Sequence, residues 1–125
     1  MPLLAIGFTG VTILLLGYFF YGRFVADVFG LDLARQTPAR ELNDGADFIP
    51  TKPVVLLGQH FAAIAAVGPI AGPILAGTKY GWLLSFVWIV FGAIFIGAVH
   101  DFSALMASVR HRAKSIAEII GVYMN

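Results

Sequence analysis

From Leu3 to Tyr21, and again from Trp82 to Val99, the chain carries no charged side chain, and each run is long enough to cross a bilayer as a helix. That feature fixes the solvent. Hydrocarbon offers no partners to N–H and C=O groups, so an element that spans it must satisfy its own backbone. Composition agrees, with 59% of residues hydrophobic and 12% charged, against about a quarter charged in soluble domains. A net charge of +1 provides no basic face for nucleic acid, and the absence of cysteine excludes disulfides and thiolate metal sites. The expected fold class is an all-α membrane protein with three transmembrane helices, the second of them broken, followed by the start of a cytoplasmic or interfacial helix.

The broken segment is Pro53 to Gly77, where Gly68-Pro69 and Gly72-Pro73 interrupt an apolar stretch. Each proline removes a backbone donor and disfavours helix at the residue before it, which predicts a break at Gly68–Pro73. The leading half, Pro53 to Val67, then runs about 22 Å, and Ile74 to Thr78 is a short trailing half. Non-helical backbone at that depth is tolerated only where it is buried in protein or lines a cavity, and such breaks hold solutes and coupling ions in secondary transporters. A proline-kinked structural helix is the alternative.

In chain order, residues 1–22 form the first span, closed by Tyr18-Phe19-Phe20-Tyr21 and Arg23, with Gly7, Gly10 and Gly17 able to seat a neighbour. Phe24, Val25, Val28 and Phe29 have helical spacing and extend this helix until Gly30 stops it. Residues 23–52 are the one polar stretch, a loop in which Thr37-Pro38 opens a short turn and Asn43-Asp44-Gly45 makes another. Its acidic residues read as a solvated face. Residues 53–79 are the broken span, with Pro53 in its first turn and Gly58, Ala62 and Ala66 forming a stripe on which another helix can pack. Lys79 and Tyr80 turn the chain into the third span, 80–109. Residues 110–125 hold the basic cluster Arg110, His111, Arg112 and Lys114, then the capping box Ser115-Ile116-Ala117-Glu118 of a new helix. Positive charge stays cytoplasmic, which predicts an outside N-terminus, with the 23–52 loop and 110–125 inside. A helix starting so near Asn125 predicts that the chain is a piece of something longer.

Polar side chains within these spans are the candidate site residues. Gln59 and His60 lie about two turns into the broken span, where His60 serves a solute or proton, or makes an interhelical hydrogen bond. On the third span Ala93, Gly97, His100, Asp101, Ala104 and Ser108 share a face expected to look into the protein. Asp101 reads either as a coupling group or as an interfacial carboxylate balanced by basic residues. No histidine has zinc-ligand spacing, and no nucleophile is paired with a base, so neither a metal site nor an enzyme is expected.

The series Asn43-Asp44-Gly45-Ala46-Asp47, Pro50-Thr51, Gly58-Gln59-His60-Phe61-Ala62-Ala63-Ile64-Ala65, Gly68-Pro69, Gly72-Pro73, Ala98-Val99-His100-Asp101-Phe102 and Ser108-Val109-Arg110 resembles the carbon starvation protein A family across Tyr21 to Glu118. The resemblance implies a multi-pass transporter of the bacterial inner membrane, linked to uptake of peptides or of pyruvate, several times longer than this chain and related to transporters built on inverted five-helix repeats. Pro53–Gly77 would then be the first core helix. His60, Gly68, Pro69, Gly72, Pro73 and Asp101 are the motif residues, while Gln59 and His100 are places where the sequence departs from the family pattern. The expected partners are the lipid bilayer, a small peptide or organic acid, and the remaining transporter helices; no cofactor is expected, and the coupling ion is a proton or sodium. The alternative is a small membrane subunit with a structural or regulatory role in a larger complex.

Overall fold

The computed structural model describes residues 3–124; the ends of the first and last expected segments, at Met1 and Asn125, lie outside the described residues. The described residues are helical with connecting turns and no strand. Helix α1 spans Leu3–Val28 and is long and apolar enough to cross a membrane. It ends where the sequence expects. The Leu31 amide donates to Ala26 O and the Gly30 amide to Asp27 O, both at 3.0 Å, with Gly30 at φ +60°. This Schellman closure needs a left-handed residue at that point, and glycine adopts it without steric cost.

A single turn, α2 (Pro38–Glu41), interrupts the polar loop, with Pro38 at its start where a missing donor costs little. Thr37 caps it by its carbonyl, which accepts from the Arg40 and Glu41 amides at 2.9 and 3.0 Å, and makes no side-chain cap bond. In the following turn a single oxygen, Asp44 Oδ1, accepts from the Ala46, Asp47 and Phe48 amides, each at 2.9 Å. These bonds, that from Phe48 foremost, hold the Asp44 carboxyl below the ordinary carboxylate range. The exposed acidic residue therefore organises the loop.

The second apolar segment is a bent pair, α3 (Pro53–Ile64) and α4 (Val67–Tyr80), meeting at 45°. The break falls at Ala65 and Ala66, earlier than the expected Gly68–Pro73, and the trailing half is 14 residues long, not a short stub. Proline geometry accounts for the difference. A proline ring clashes with the carbonyl four residues before it, which for Pro69 is Ala65. Pro69 itself sits in the first turn of α4, where its missing N–H would have had no partner. Gly68 and Pro69 thus open the second half, and Pro73 lies within it.

Gly81, at φ +90°, is the one residue between α4 and helix α5 (Trp82–Arg110), the second helix long and apolar enough to cross a membrane. Helix α6 (Ile116–Met124) follows the expected capping box: the Ser115 amide and Oγ donate to Glu118 Oε2 at 2.8 and 2.7 Å, and the Glu118 amide donates to Ser115 Oγ at 3.3 Å. Those bonds from Ser115 hold the Glu118 carboxyl below its ordinary range.

Helices α1 and α5 form the packed centre. A methyl group added to Gly10 would meet the Phe86 ring at 3.1 Å, and one added to Gly17 would meet Ile94 Cδ1 at 2.8 Å. Tyr21 lies 4.8 Å from Phe95 between ring centroids, and Phe29 lies 5.7 Å from Phe102. Small residues let the backbones approach, as membrane helix pairs require where lipid supplies no hydrophobic drive. The paired residue numbers rise together, so α1 and α5 run parallel. A chain joining two parallel membrane helices must return between them, and α3 with α4 is what lies between.

Candidate functional site

Three of the candidate side chains, His60, His100 and Asp101, assemble beside the C-terminal half of α5. His60, on α3, places Nε2 4.0 Å from Asp101 Oδ2, and His100 Nδ1 lies 3.1 Å from Asp101 Oδ1. One carboxylate therefore stands between two imidazoles. Although neighbours on a helix point about 100° apart, His100 folds its ring back far enough to reach Asp101. Ser103 Oγ donates to the His100 carbonyl at 2.9 Å, tying that turn together. An imidazole N–H can donate to either carboxylate oxygen, so the cluster can hold or pass a proton.

His60 stands five residues before the break at Ala65, about 7.5 Å along the helix. Pro69 and Pro73 have no N–H, so the carbonyls four residues earlier, of Ala65 and Pro69, have no helical donor. The Val67 and Gly68 amides open α4 and have no carbonyl behind them in the helix. Free acceptors and free donors thus adjoin within one turn. Every residue from Pro53 to Ile70 is exposed, Gln59 included, and Gly58 has nothing within 4 Å of an added methyl.

The other predicted residues lie apart from this cluster. Gly72 and Pro73 line a groove of about 530 Å³ between α4 and α5, together with Tyr80, Ser85 and Trp88. A concavity of about 600 Å³ between α1 and α5, lined by Leu14, Gly17, Tyr21, Ala98 and Phe102, contains neither candidate histidine. It is apolar and follows the helix seam, so the polar cluster remains the better site. The expected inward face of α5 is also only half realised: Asp101, Ala104 and Ser108 are half-buried, whereas Ala93 and His100 are exposed. The face buried against α1 is instead that of Phe86, Val90, Ile94 and Phe102, because it meets the glycine notches.

Two features escaped the sequence reading. Both long helices loosen into π-helix, at Gly17–Tyr21 and Gly92–Gly97, and the two stretches face each other. Glycines stand five apart in each, and the Gly22 amide donates to Gly17 O, which is the π-type bond. That spacing was the available signal. The second is Arg110, whose Nη2 donates to the Phe29 carbonyl and reaches Gly30 O at 3.5 Å, so that it caps α1 with a cation.

This is a membrane-embedded helical protein whose polar side chains and free backbone groups gather at a broken span. The family model for carbon starvation protein CstA matches residues 3–125, and the chain belongs to that family. It is 52% identical over 111 residues to the peptide transporter CstA of Campylobacter jejuni, covering 88% of this chain and 16% of that protein. It is 44% identical to the peptide transporter CstA of Escherichia coli, with the same 88% and 16% coverage. Against the pyruvate/proton symporter BtsT of Escherichia coli it is 42% identical, over 88% of this chain and 15% of that protein. The chain therefore spans about one-sixth of the length of these three relatives. No solved structure matches the chain.

Proposed function

We propose that these residues are the N-terminal portion of a secondary transporter that carries small peptides, or a related small organic acid such as pyruvate, across the bacterial inner membrane. The observation that carries this reading is the break at Ala65 and Ala66, where two carbonyls without donors adjoin two amides without acceptors. A peptide offers both complements. Its ammonium group suits the carbonyls of Ala65 and Pro69, and its carboxylate suits the amides and positive dipole end of α4. Pyruvate has only the carboxylate. His60 and Gln59 add side-chain hydrogen bonds from the leading half, Gly68, Pro69, Gly72 and Pro73 shape the trailing half, and Asp101 with His100 couples or gates the inner side.

In this reading the bent pair is one crossing, giving three spans, with the N-terminus outside and the 23–52 and 110–125 segments in the cytoplasm. The parallel course of α1 and α5 supports that count. The protein carries its solute unchanged and is not an enzyme; it needs the lipid bilayer and the remaining transporter helices as partners. The names of its relatives do not favour a small structural or regulatory subunit. The test is uptake of a labelled dipeptide and of labelled pyruvate by proteoliposomes containing the full-length protein. Accumulation of one of them above empty liposomes, lost on Pro69→Ala, is expected; uptake of neither would overturn the reading.

A further inference from the structure

Helix α3 is exposed at every residue, and among the described residues its one side-chain polar contact with another element is that between His60 and Asp101. We propose that His60 and Asp101 form a proton-operated tether: a proton on His60 draws α3 onto α5, and loss of that proton lets α3 go.

Four observations carry the tether. First, the 4.0 Å separation of Nε2 and Oδ2 exceeds a hydrogen bond, so a neutral imidazole gains little there, whereas an imidazolium is drawn to the carboxylate through space. Second, Asp101 Oδ1 is engaged by His100 at 3.1 Å, which leaves Oδ2 turned towards His60. Third, the two side chains are 61% and 41% exposed among the described residues, so neither is sealed off within this part of the chain. Fourth, among the described residues the one other titratable group beside the pair is His100, and it occupies the opposite carboxylate oxygen, Oδ1. The titratable groups of α5 beside His60 are Asp101 and His100; α3 carries none besides His60, and the one charged residue of α4, Lys79, is at the far end of that helix.

Protonation turns a neutral imidazole into a cation, and that change of charge is what the tether responds to. The proton adds to Nε2 from whichever aqueous phase the site faces and leaves to water again; no other bond forms or breaks. Because α3 leads directly into the break at Ala65, moving α3 changes the shape of the gap that holds the solute. This last consequence rests on the transporter reading. The tether itself does not.

The experiment is a distance measurement between spin labels at Leu57→Cys and Leu105→Cys in the full-length protein, otherwise free of cysteine and reconstituted in lipid. At about pH 5 a single narrow distance is expected, and at about pH 8 a broader and longer distribution. His60→Gln is expected to give the broad distribution at both pH values, and Asp101→Asn likewise. Identical distributions at the two pH values in the labelled but otherwise unaltered protein would overturn the proposal, as would a pH response that survives both substitutions. Where an inward proton gradient stimulates uptake by the parent protein in proteoliposomes, that stimulation should disappear in His60→Gln; stimulation equal to that of the parent would overturn the link between tether and transport. If the full-length protein moves neither dipeptide nor pyruvate, the transporter reading fails, and the distance measurement still decides the tether.

Discussion

The pair α1 and α5 and the broken segment α3–α4 are both apolar enough to cross a membrane, the broken segment as one bent pair, yet the first pair is packed and α3 is bare. Along the α1–α5 seam Gly10 and Gly17 each have an occupant, Phe86 and Ile94, and aromatic rings close the C-terminal end. On α3 Gly58 and Ala62 offer the same notches with nothing seated in them, and Ala66, expected on the same stripe, falls in the break. Small residues in a membrane helix thus announce a close approach without saying to what. In the seam the partner is within the chain; for α3 no described residue fills that role. A backbone break belongs on the second kind of helix, because a segment free of packing is the one that can change its angle.

The largest effect should come from erasing the break. Pro69→Ala removes the ring that clashes at Ala65 and restores a donor to that carbonyl, a change worth about 3 kcal/mol in a helix interior. Straightening of α3 into α4 and a loss of uptake of at least tenfold are expected, read by transport and by label distances across the bend. Pro73→Ala, within α4, should do much less to the angle. If the two behave alike, the break does not depend on Pro69.

The seam should be next in sensitivity. Gly17→Val puts a branched side chain where even a methyl would stand 2.8 Å from Ile94, and should cost about 1–3 kcal/mol through forced separation of the helices. Thermal stability in detergent is the readout, and Ile94→Ala in the same chain should recover part of the loss. Gly10→Ala should be milder, since it meets the movable edge of Phe86.

Removing the cap on α1 should matter less. Arg110→Ala takes a cation from the Phe29 and Gly30 carbonyls at an exposed position, for about 1 kcal/mol. Arg110→Lys should restore part of it, because charge survives while the fork geometry does not. Faster amide exchange around Gly30 in the alanine variant would verify the contact.

The smallest effect is one of pH. Glu118 is held below the ordinary glutamate range by Ser115, so its contribution to α6 is complete above that range and is lost as the pH falls through the depressed folded value. Protection of the Ser115 and Glu118 amides, taken relative to the intrinsic exchange rate at each pH, should therefore fall on acidification, and that fall should be absent in Glu118→Gln.

Local rules were legible because they act over a few residues. The end of α1 at Gly30, the turn at Pro38, the start at Pro53 and the Ser115–Glu118 box each follow from chemistry within one turn of helix. The position of the break was missed by three residues because the expectation placed it at the prolines, whereas the steric conflict acts four residues earlier. The polar cluster was half legible. His60 and Asp101 each stood out as polar groups in apolar runs, but their meeting at 4.0 Å depends on how α3 is angled against α5, which no local pattern encodes. The facing π-helical stretches depend likewise on contact between two distant glycine pairs.

The claim that the break is where the solute sits is tested most directly at Ala66, one of the two residues between the halves. Ala66→Cys in the full-length protein, otherwise free of cysteine, should react with a membrane-impermeant thiol reagent and be protected by the transported peptide or organic acid. A thiol at that position that is unreactive, or that reacts at the same rate with and without the solute, would contradict the account.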